Sequence, residues 1–522
     1  MLRTLALAAI LAAAPAATQA QTLRMGVGAQ ITSVDPHFHN LAPNNAFAAM
    51  IFGRLLETDG AGNLGPSIAL SWKALSDEVW EFKLRPGVVF HNGTPFTADD
   101  FAFTVERIPL VLNSPGSFRT YTNAIKRVEV VDPLTLRVHT NGPYPLLASD
   151  LALVPLLSRS THTGATTERF NSGELAIGTG PFKLAMFRHG ERADLVRNDA
   201  YWGDKPHWAR VDYRIITSAP ARASSILAGD IDFIDQVPTA DVEKLRAHPA
   251  VRLSETSSLR FMYIAFDHSR DERTPFVTTL DGKPIDKNPL KDVRVRQALA
   301  HAIDRDAIVS RVMEGVAVPI NQVVPPGTFG YAEELAYPKP DLAAARRLLA
   351  EAGFPQGFAI AIHGSNDRYP NDGKITQAIG QMWTRIGVRT AVEASPFGTF
   401  VQRAAKQEFS AFLVSWGNAT GDPTPALRSM LATFDASRGL GSVNRGRYSN
   451  PAYDDLLITA MRQLDSAKRE RMLQDAAILA IKTDVAVIPL HMQKNVWAMR
   501  PGLRHDGRVD ESTRAQDVWP EK

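Results

Sequence analysis

The residues best suited to chemistry lie in one stretch, residues 412–423. An apolar run there ends in Trp416 and passes into short hydrogen-bonding side chains, among them Asn418, Thr420 and Asp422. An α/β domain presents ligand pockets at such strand ends, where an aromatic ring and a few polar groups can bind a small molecule. An ordinary strand-to-helix loop closed by a Gly-Asp-Pro turn would contain the same residues, so the rest of the chain must decide between the two interpretations.

Other chemically capable residues do not form a recognisable catalytic or metal-binding set. The chain has no cysteine, which excludes disulfides, thiol catalysis and cysteine-bound zinc. His37 and His39 could hold a metal at their spacing, but no third ligand is nearby in sequence, and surface-loop histidines are the favoured interpretation. Residues 439–443 lack the closing glycine of a hydrolase elbow, and residues 60–65 fit a dinucleotide fingerprint without the long helix that must follow. We therefore expect no cofactor, no metal and no enzymatic activity.

The length and the first residues predict a secreted protein of several domains. A chain of 522 residues exceeds one hydrophobic core, and a net charge of +3 gives no electrostatic footprint for nucleic acid. Arg3, the apolar run of residues 5–17 and the small residues up to Ala20 predict a signal peptide over residues 1–20. Because no lipid-anchoring cysteine is present, we expect a free, soluble protein in the periplasm of a Gram-negative bacterium.

The elements around the Trp416 stretch alternate between helix and strand, which predicts an α/β fold. Asp292 and Asp341 are suited to cap helices, and strands are predicted over residues 259–266, 358–362 and 485–490. Residues 268–291 are charged, contain Pro and Gly, and lack periodicity. We interpret them as a domain boundary that carries an exposed insertion.

Several segments stand out in a fixed order: LSW at 70–72, WEFKLRPGV at 80–88, FHNGTPFTADD at 90–100, GTGPF at 178–182, RNDAYWGDKP at 197–206, DVRVRQAL at 292–299 with AID at 302–304, and YSNP at 448–451. Their residues and their order resemble the signature of the family 5 extracellular solute-binding proteins. These are the dipeptide-, oligopeptide- and nickel-binding components of ABC importers. The resemblance covers essentially the whole chain after the predicted signal peptide.

The resemblance implies a class II-like periplasmic binding fold with two lobes, a hinged ligand cleft and an extra subdomain. Lobe I would comprise residues 21–56, 190–267 and 492–522, with residues 57–189 as its inserted subdomain. Lobe II would comprise residues 271–491, and hinges would lie near residues 265–267 and 490–492. The expected partners are a small peptide-like ligand and the membrane subunits of an ABC permease, and we expect a monomer.

The resemblance also implies which residues contact the ligand. Arg368 and Tyr369 lie where peptide-binding relatives place ligand-carboxylate contacts, and a planar guanidinium suits a carboxylate. A solvated loop arginine is the alternative for Arg368. The candidate contacts from lobe II are Arg368, Tyr369, Trp416, Asn418, Thr420 and Asp422, and those from lobe I are Gln30, Thr32, Arg260 and Tyr263.

One position departs from the dipeptide-binding relatives. Those relatives have an Asp three residues after the Trp, which pairs with the ligand's amino group, whereas this chain has Ala419. Asp422 matches a second Asp that closes the turn in relatives. Removing one member of a buried ion pair costs about 3–5 kcal/mol. Either another acid substitutes for the missing one, or the ligand lacks a free amino terminus there, and the absence of a histidine in this loop does not support a nickel chelate.

We therefore predict the periplasmic solute-binding component of an ABC importer, with a peptide or a peptide-like ligand. One alternative is a binding role outside transport on the same fold, such as a receptor adaptor or a chaperone. A secreted hydrolase is the other alternative.

Overall fold

A computed structural model describes residues 22–418 and 420–521 of the protein. The predicted signal peptide and Ala419 lie outside the described residues. The described residues form a mixed α/β structure, as predicted. Its strands, in chain order, are β1 (Thr22–Val27), β2 (Leu56–Thr58), β3 (Leu64–Pro66), β4 (Ala69–Ser76), β5 (Val79–Leu84), β6 (Ile125–Asp132), β7 (Thr135–Thr140), β8 (Phe182–Arg188), β9 (Arg192–Arg197), β10 (Arg210–Ile215), β11 (Phe233–Ile234), β12 (Arg252–Phe266), β13 (Val277–Thr278), β14 (Ala317–Pro319), β15 (Ala359–Ser365), β16 (Arg389–Ser395), β17 (Ala411–Gly417), β18 (Val487–Met499), β19 (Leu503–His505) and β20 (Val518–Pro520).

The helices are distributed along the whole of the described chain. They are α1 (Ala42–Ile51), α2 (Ala98–Arg107), α3 (Arg119–Thr122), α4 (Leu147–Leu151), α5 (Arg159–His162), α6 (Thr167–Asn171), α7 (Ala219–Ala228), α8 (Val242–Arg246), α9 (Val293–His301), α10 (Arg305–Ala307), α11 (Leu342–Glu351), α12 (Asp372–Thr384), α13 (Phe397–Ala405), α14 (Thr424–Ala426), α15 (Pro451–Arg462) and α16 (Ser466–Ile478). Within the described residues, none of them combines the length and the apolar character needed to cross a lipid bilayer.

One mixed sheet of twelve strands organises the described chain. Its strands lie in the order β13-β15-β17-β12-β18-β11-β1-β10-β9-β8, with β14 added to β18 and β16 added to β15. The two longest strands, β12 and β18, pair antiparallel from Arg252 and Met499 to Ala265 and Val487. Strand β12 also pairs with β17, and β18 also pairs with β11. These two strands therefore join a first half of the sheet (β1 and β8–β11) to a second half (β13 and β15–β17).

A smaller antiparallel sheet forms the segment between β3 and β8. Its strands lie in the order β4-β5-β7-β6, and the alternation in β5 buries Phe82 and Leu84 in a core of their own. Helix α2 begins after its N-cap residue, Thr97, whose backbone N–H donates to the Asp100 carboxylate over 2.8 Å. The apolar and polar alternation over residues 80–84 is that of a half-buried strand.

Two predictions about element boundaries need correction. The predicted strand ending at Leu490 continues to Met499, because β18 runs on through the centre of the large sheet. Residues 268–291 are only partly exposed: β13 joins the large sheet, and Leu290 is buried in the core. The side-chain amide of Asn288 donates to the carbonyl oxygens of Asp267 and Arg270, which ties this segment to the end of β12.

Candidate functional site

A cavity lies against β12 and β18, where the two halves of the sheet meet. It encloses about 920 Å³, part of which is open to solvent. Its walls include charged side chains from the first half of the sheet, from the crossing strands, from the loop after β15 and from the C-terminal segment: Asp235, Arg260, Arg368, Lys494 and Glu511. We call this space the central cavity. Its lining of apolar side chains with a few charged groups suits a small organic ligand.

Arg260 on β12 is fixed in place by neighbouring groups. Its Nε donates to both carboxylate oxygens of Glu511, over 2.8 and 3.0 Å, and one of its terminal nitrogens donates to the Ser415 hydroxyl over 2.9 Å. Burial opposes the charge, but the attraction of Glu511 outweighs it and raises the pKa of Arg260. A Cβ atom at Gly417 would lie 2.5 Å from the guanidinium, so the glycine leaves the room that Arg260 occupies.

Arg368 is held differently, because its charged group remains available. Its guanidinium lies 5.2 Å from the ring centre of Tyr369 and 5.7 Å from that of Phe397, which fixes its position by cation–π contact. The backbone N–H groups of Arg368 and Tyr369 both donate to Asp372 over 3.2 Å, which fixes the loop. Burial, and then repulsion from Arg260, lower the pKa of Arg368. Throughout residues 22–418 and 420–521, no hydrogen-bond acceptor and no carboxylate binds the Arg368 guanidinium. The guanidinium is therefore free to bind an anionic group of a ligand.

The stretch after Trp416 satisfies most of its own polar groups. The Trp416 ring is half-buried against the core, and its indole N–H has no partner among the described residues. The Asn418 amide donates to the backbone oxygen of Asp422 over 2.7 Å, and Thr420 is buried beside it. Ala419, where the notable departure in sequence lies, is outside the described residues. The side chains of Trp416, Asn418 and Thr420 do not line the central cavity, although β17 lies beside it because Gly417 is the cross-strand partner of Arg260.

Asp422 is engaged within the protein. Its carboxylate accepts the backbone N–H of Thr424 over 2.8 Å and forms an ion pair with Arg469 over 2.7 Å. Both charged side chains are largely buried. The carboxylate therefore closes the turn before α14 and fixes that turn to α16.

The candidates from the first part of the chain lie in different surroundings. Gln30 and Thr32 are exposed, and the Thr32 hydroxyl lies 2.9 Å from Nδ1 of His39. Tyr263 is buried in the core, with its ring 5.7 Å from that of Phe261. Of the ten residues predicted from sequence, Arg260, Arg368 and Tyr369 line the central cavity, and the other seven do not.

Sequence reasoning missed two acids of the central cavity, Asp235 and Glu511. Asp235 directly follows the short buried strand β11, and its Oδ1 accepts the backbone N–H of Gly28 over 2.7 Å. Burial raises the pKa of Asp235, while the nearby Arg222 opposes that shift. An acid directly after a buried strand could have signalled Asp235, whereas Glu511 lies in a charged tail that gave no such signal.

The prediction of surface histidines is wrong for His37. This ring is buried: Arg107 donates to its Nδ1 over 3.1 Å, and its Nε2 lies 2.8 Å from the carbonyl oxygen of Pro155. Burial lowers the pKa of His37 to about 3, so a neutral ring accepts from the arginine. Arg107 also pairs with Asp35 over 2.7 Å, so His37 belongs to a buried structural network. Within the described part of the chain, no group of three or more His, Asp and Glu residues could hold a metal ion.

Comparison with known proteins places this geometry in a family. The chain is 28% identical to heme-binding protein A of Haemophilus influenzae, over 83% of this chain and 80% of that protein. It is 25% identical to the dipeptide-binding protein of Escherichia coli, over 86% of this chain and 84% of that protein. The fold matches a periplasmic binding protein of Helicobacter pylori solved in complex with a peptide, with a TM-score of 0.82, 24% identity and coverage of 96% of this chain and 98% of that one. The sequence model of the bacterial extracellular solute-binding proteins, family 5 (middle), matches residues 63–438, and the chain belongs to this family.

Proposed function

We propose that this protein captures a peptide or a peptide-like molecule bearing a carboxylate and delivers it to an ABC permease. The observation that carries the proposal is the guanidinium of Arg368, which faces the central cavity without an acceptor in the described chain. The names of relatives, among them a dipeptide-binding protein, support the ligand class. The protein would act as a monomeric, non-enzymatic carrier in the periplasm, after removal of residues 1–20.

The central cavity supports a clamp that closes around its ligand. We assign the first half of the sheet to lobe I, the small sheet over residues 57–189 to its subdomain, and the second half to lobe II. Strands β12 and β18 would then be the hinge strands, because they alone join the two halves of the large sheet within the described residues. A ligand in contact with both lobes favours the closed state, since only a difference in affinity between two states shifts their equilibrium.

Within this clamp, Arg368 would bind the ligand carboxylate and Tyr369 would pack against the adjoining apolar part. An arginine can donate two parallel hydrogen bonds to a carboxylate, and the partly buried position strengthens them. Arg260 would supply a second positive charge, partly neutralised by Glu511. Contact of the ligand with Trp416, Asn418, Thr420, Gln30, Thr32 and Tyr263 remains a prediction, whereas the predicted contact Asp422 is engaged by Arg469 and Thr424.

Binding measurements on a matched pair of arginine variants test this function. Isothermal titration would compare wild type, Arg368→Ala and Arg389→Ala with a panel of dipeptides and their C-terminal amides. Arg389 is an exposed arginine on β16 and serves as the control. We expect Arg368→Ala to weaken dipeptide binding at least about tenfold, which corresponds to the free energy of one charge-assisted hydrogen bond. The C-terminal amides should bind wild type more weakly, and the substitution should leave their affinity unchanged.

The same samples would also be examined by mass spectrometry after incubation. Peptides recovered intact are expected from a carrier, and cleaved peptides would contradict the proposal. Dipeptide affinity that is equal in wild type and Arg368→Ala would contradict the proposed carboxylate contact.

A further inference from the structure

The central cavity contains a buried carboxylate, Asp235, that forms no salt bridge among the described residues. Its Oδ1 accepts the backbone N–H of Gly28, and the Thr513 side chain lies beside it. A buried carboxylate without a direct ion pair is costly to keep ionised, so a cation that enters the cavity would be stabilised there.

The nearby Arg222 forms no salt bridge with that carboxylate among the described residues. The guanidinium of Arg222 donates to four backbone carbonyl oxygens, those of Ile216, Thr217, Asp235 and Gln236, over 2.7 to 3.3 Å. Arg222 thus fixes the loop that carries Asp235, and its charge acts on the carboxylate only through space, without a salt bridge.

The other charged groups of the central cavity are already partly engaged. Glu511 is neutralised by Arg260, and the Lys494 ammonium lies 3.3 Å from the carbonyl oxygen of Gly315. Three groups of the cavity form no ion pair among the described residues: the Lys494 ammonium, the Arg368 guanidinium and the Asp235 carboxylate. Asp235 and Arg368 belong to opposite halves of the sheet, and both line the same cavity.

We infer that Asp235 binds a positively charged amino group of the ligand, so that the ligand lies across the cavity with its amine toward β11 and its carboxylate toward Arg368. The inference rests on the proposed function and specifies its ligand as one with both charges. A salt link to each half of the sheet would require both halves to approach, which couples recognition of the two charges to closure. Asp235 would thereby replace the acid that the Trp416 loop lacks.

Removal of the charge from each partner separately tests this inference. Wild type, Asp235→Asn and Asp230→Asn would be titrated with Ala-X dipeptides and with the same dipeptides acetylated at the amino terminus. Asp230 is an exposed acid of the same region and controls for the change in net charge. We expect wild type and Asp230→Asn to prefer the free amine at least about tenfold, and Asp235→Asn to lose that preference.

Each result separates this inference from the proposed function. Equal binding of free and acetylated dipeptides by wild type overturns the role of Asp235 but leaves the carboxylate contact, which the C-terminal amides test independently. A preference for the free amine that survives in Asp235→Asn also overturns it. Asparagine retains an acceptor for Gly28, so the variant should fold. If the variant does not fold, the comparison of free and acetylated dipeptides on wild type still tests the inference, because equal affinity for the two would overturn it.

A co-purified ligand provides a second readout. Small molecules released from wild type on denaturation would be treated with an amine-specific acylating reagent, and their masses before and after treatment would be compared by mass spectrometry. A released ligand with a carboxylate but no amine overturns the inference and leaves the proposed function standing. A wild-type protein that binds no dipeptide and releases no molecule with a carboxylate overturns both.

Discussion

Arg469 on α16 lies 2.7 Å from the carboxylate of Asp422, and both side chains are largely shielded from water. The other carboxylate oxygen of Asp422 accepts the backbone N–H of Thr424. Arg469 donates in addition to the Thr424 hydroxyl over 2.7 Å. These three residues connect the Trp416 loop to the helical layer behind it, which makes the position of the loop dependent on one ion pair.

We predict that Asp422→Asn lowers the free energy of unfolding by about 3 kcal/mol, because it leaves the largely buried Arg469 without its counter-charge. Urea unfolding would measure the loss. Asp435→Asn is the control, since Asp435 makes similar turn hydrogen bonds to Ser437 and has no ion pair within the described residues. The shift in melting temperature caused by a bound peptide should persist in Asp422→Asn. Loss of that shift with unchanged stability would instead indicate that Asp422 contacts the ligand.

The GTGPF motif has a steric explanation in the close approach of two backbone segments. The Gly180 N–H donates to the carbonyl oxygen of Ile51 over 2.9 Å, and a Cβ atom at Gly178 would lie 2.0 Å from that same oxygen. We predict that Gly178→Ala lowers the free energy of unfolding by about 3 kcal/mol, since the clash is with backbone that cannot rotate away.

Gly398→Ala is the matched control for Gly178→Ala. Gly398 lies exposed on α13, with no atom within 4 Å of the added Cβ, so alanine there should stabilise the helix by about 1 kcal/mol. Both variants would be compared by urea unfolding. A Gly178→Ala protein as stable as wild type would refute the steric explanation.

The fold was predictable from sequence wherever side-chain periodicity matched burial. The capped helices that begin after Asp292 and Asp341 are found as predicted. The extension of β18 beyond Leu490 was not predictable, because His491 and Gln493 are polar residues that suggest a solvent-exposed segment. They are buried since the strand crosses the centre of the large sheet. Helix α13 was also missed.

The candidate site was predictable only in part, for a reason that lies in the topology. Arg368 and Tyr369 follow a strand in the second half of the sheet, and the family resemblance identified them. The acids Asp235 and Glu511 reach the same cavity from distant parts of the chain; only Asp235 has a local signal, its place directly after a buried strand, and Glu511 has none. Their assignment requires the three-dimensional arrangement.

A second buried network extends from the inserted segment of residues 57–189 to the second half of the fold. The Tyr144 hydroxyl donates to Asp150 over 2.6 Å, and Arg428 donates to the Tyr144 oxygen over 3.1 Å. Burial raises the pKa of Asp150 to about 6, an effect opposed by Arg428 and by the Tyr144 hydrogen bond and reinforced by Asp422. The carboxyl group therefore titrates within a range that is easily reached in experiments.

We predict a pH dependence of stability that is specific to Asp150. In the unfolded chain an Asp titrates near pH 4, so between about pH 4 and 6 the folded protein binds the additional proton. The stabilisation is complete below the unfolded pKa and is lost as the pH rises through the folded one. From pH 4.5 to 7.5, wild type should lose about 2 kcal/mol relative to Asp150→Asn. Urea unfolding at both pH values would measure this, with the exposed Asp77→Asn as control. Parallel dependence of the unfolding free energy on pH for wild type and Asp150→Asn would contradict the prediction. The two proteins differ only in the titration of this carboxyl group, so that titration would then make no contribution.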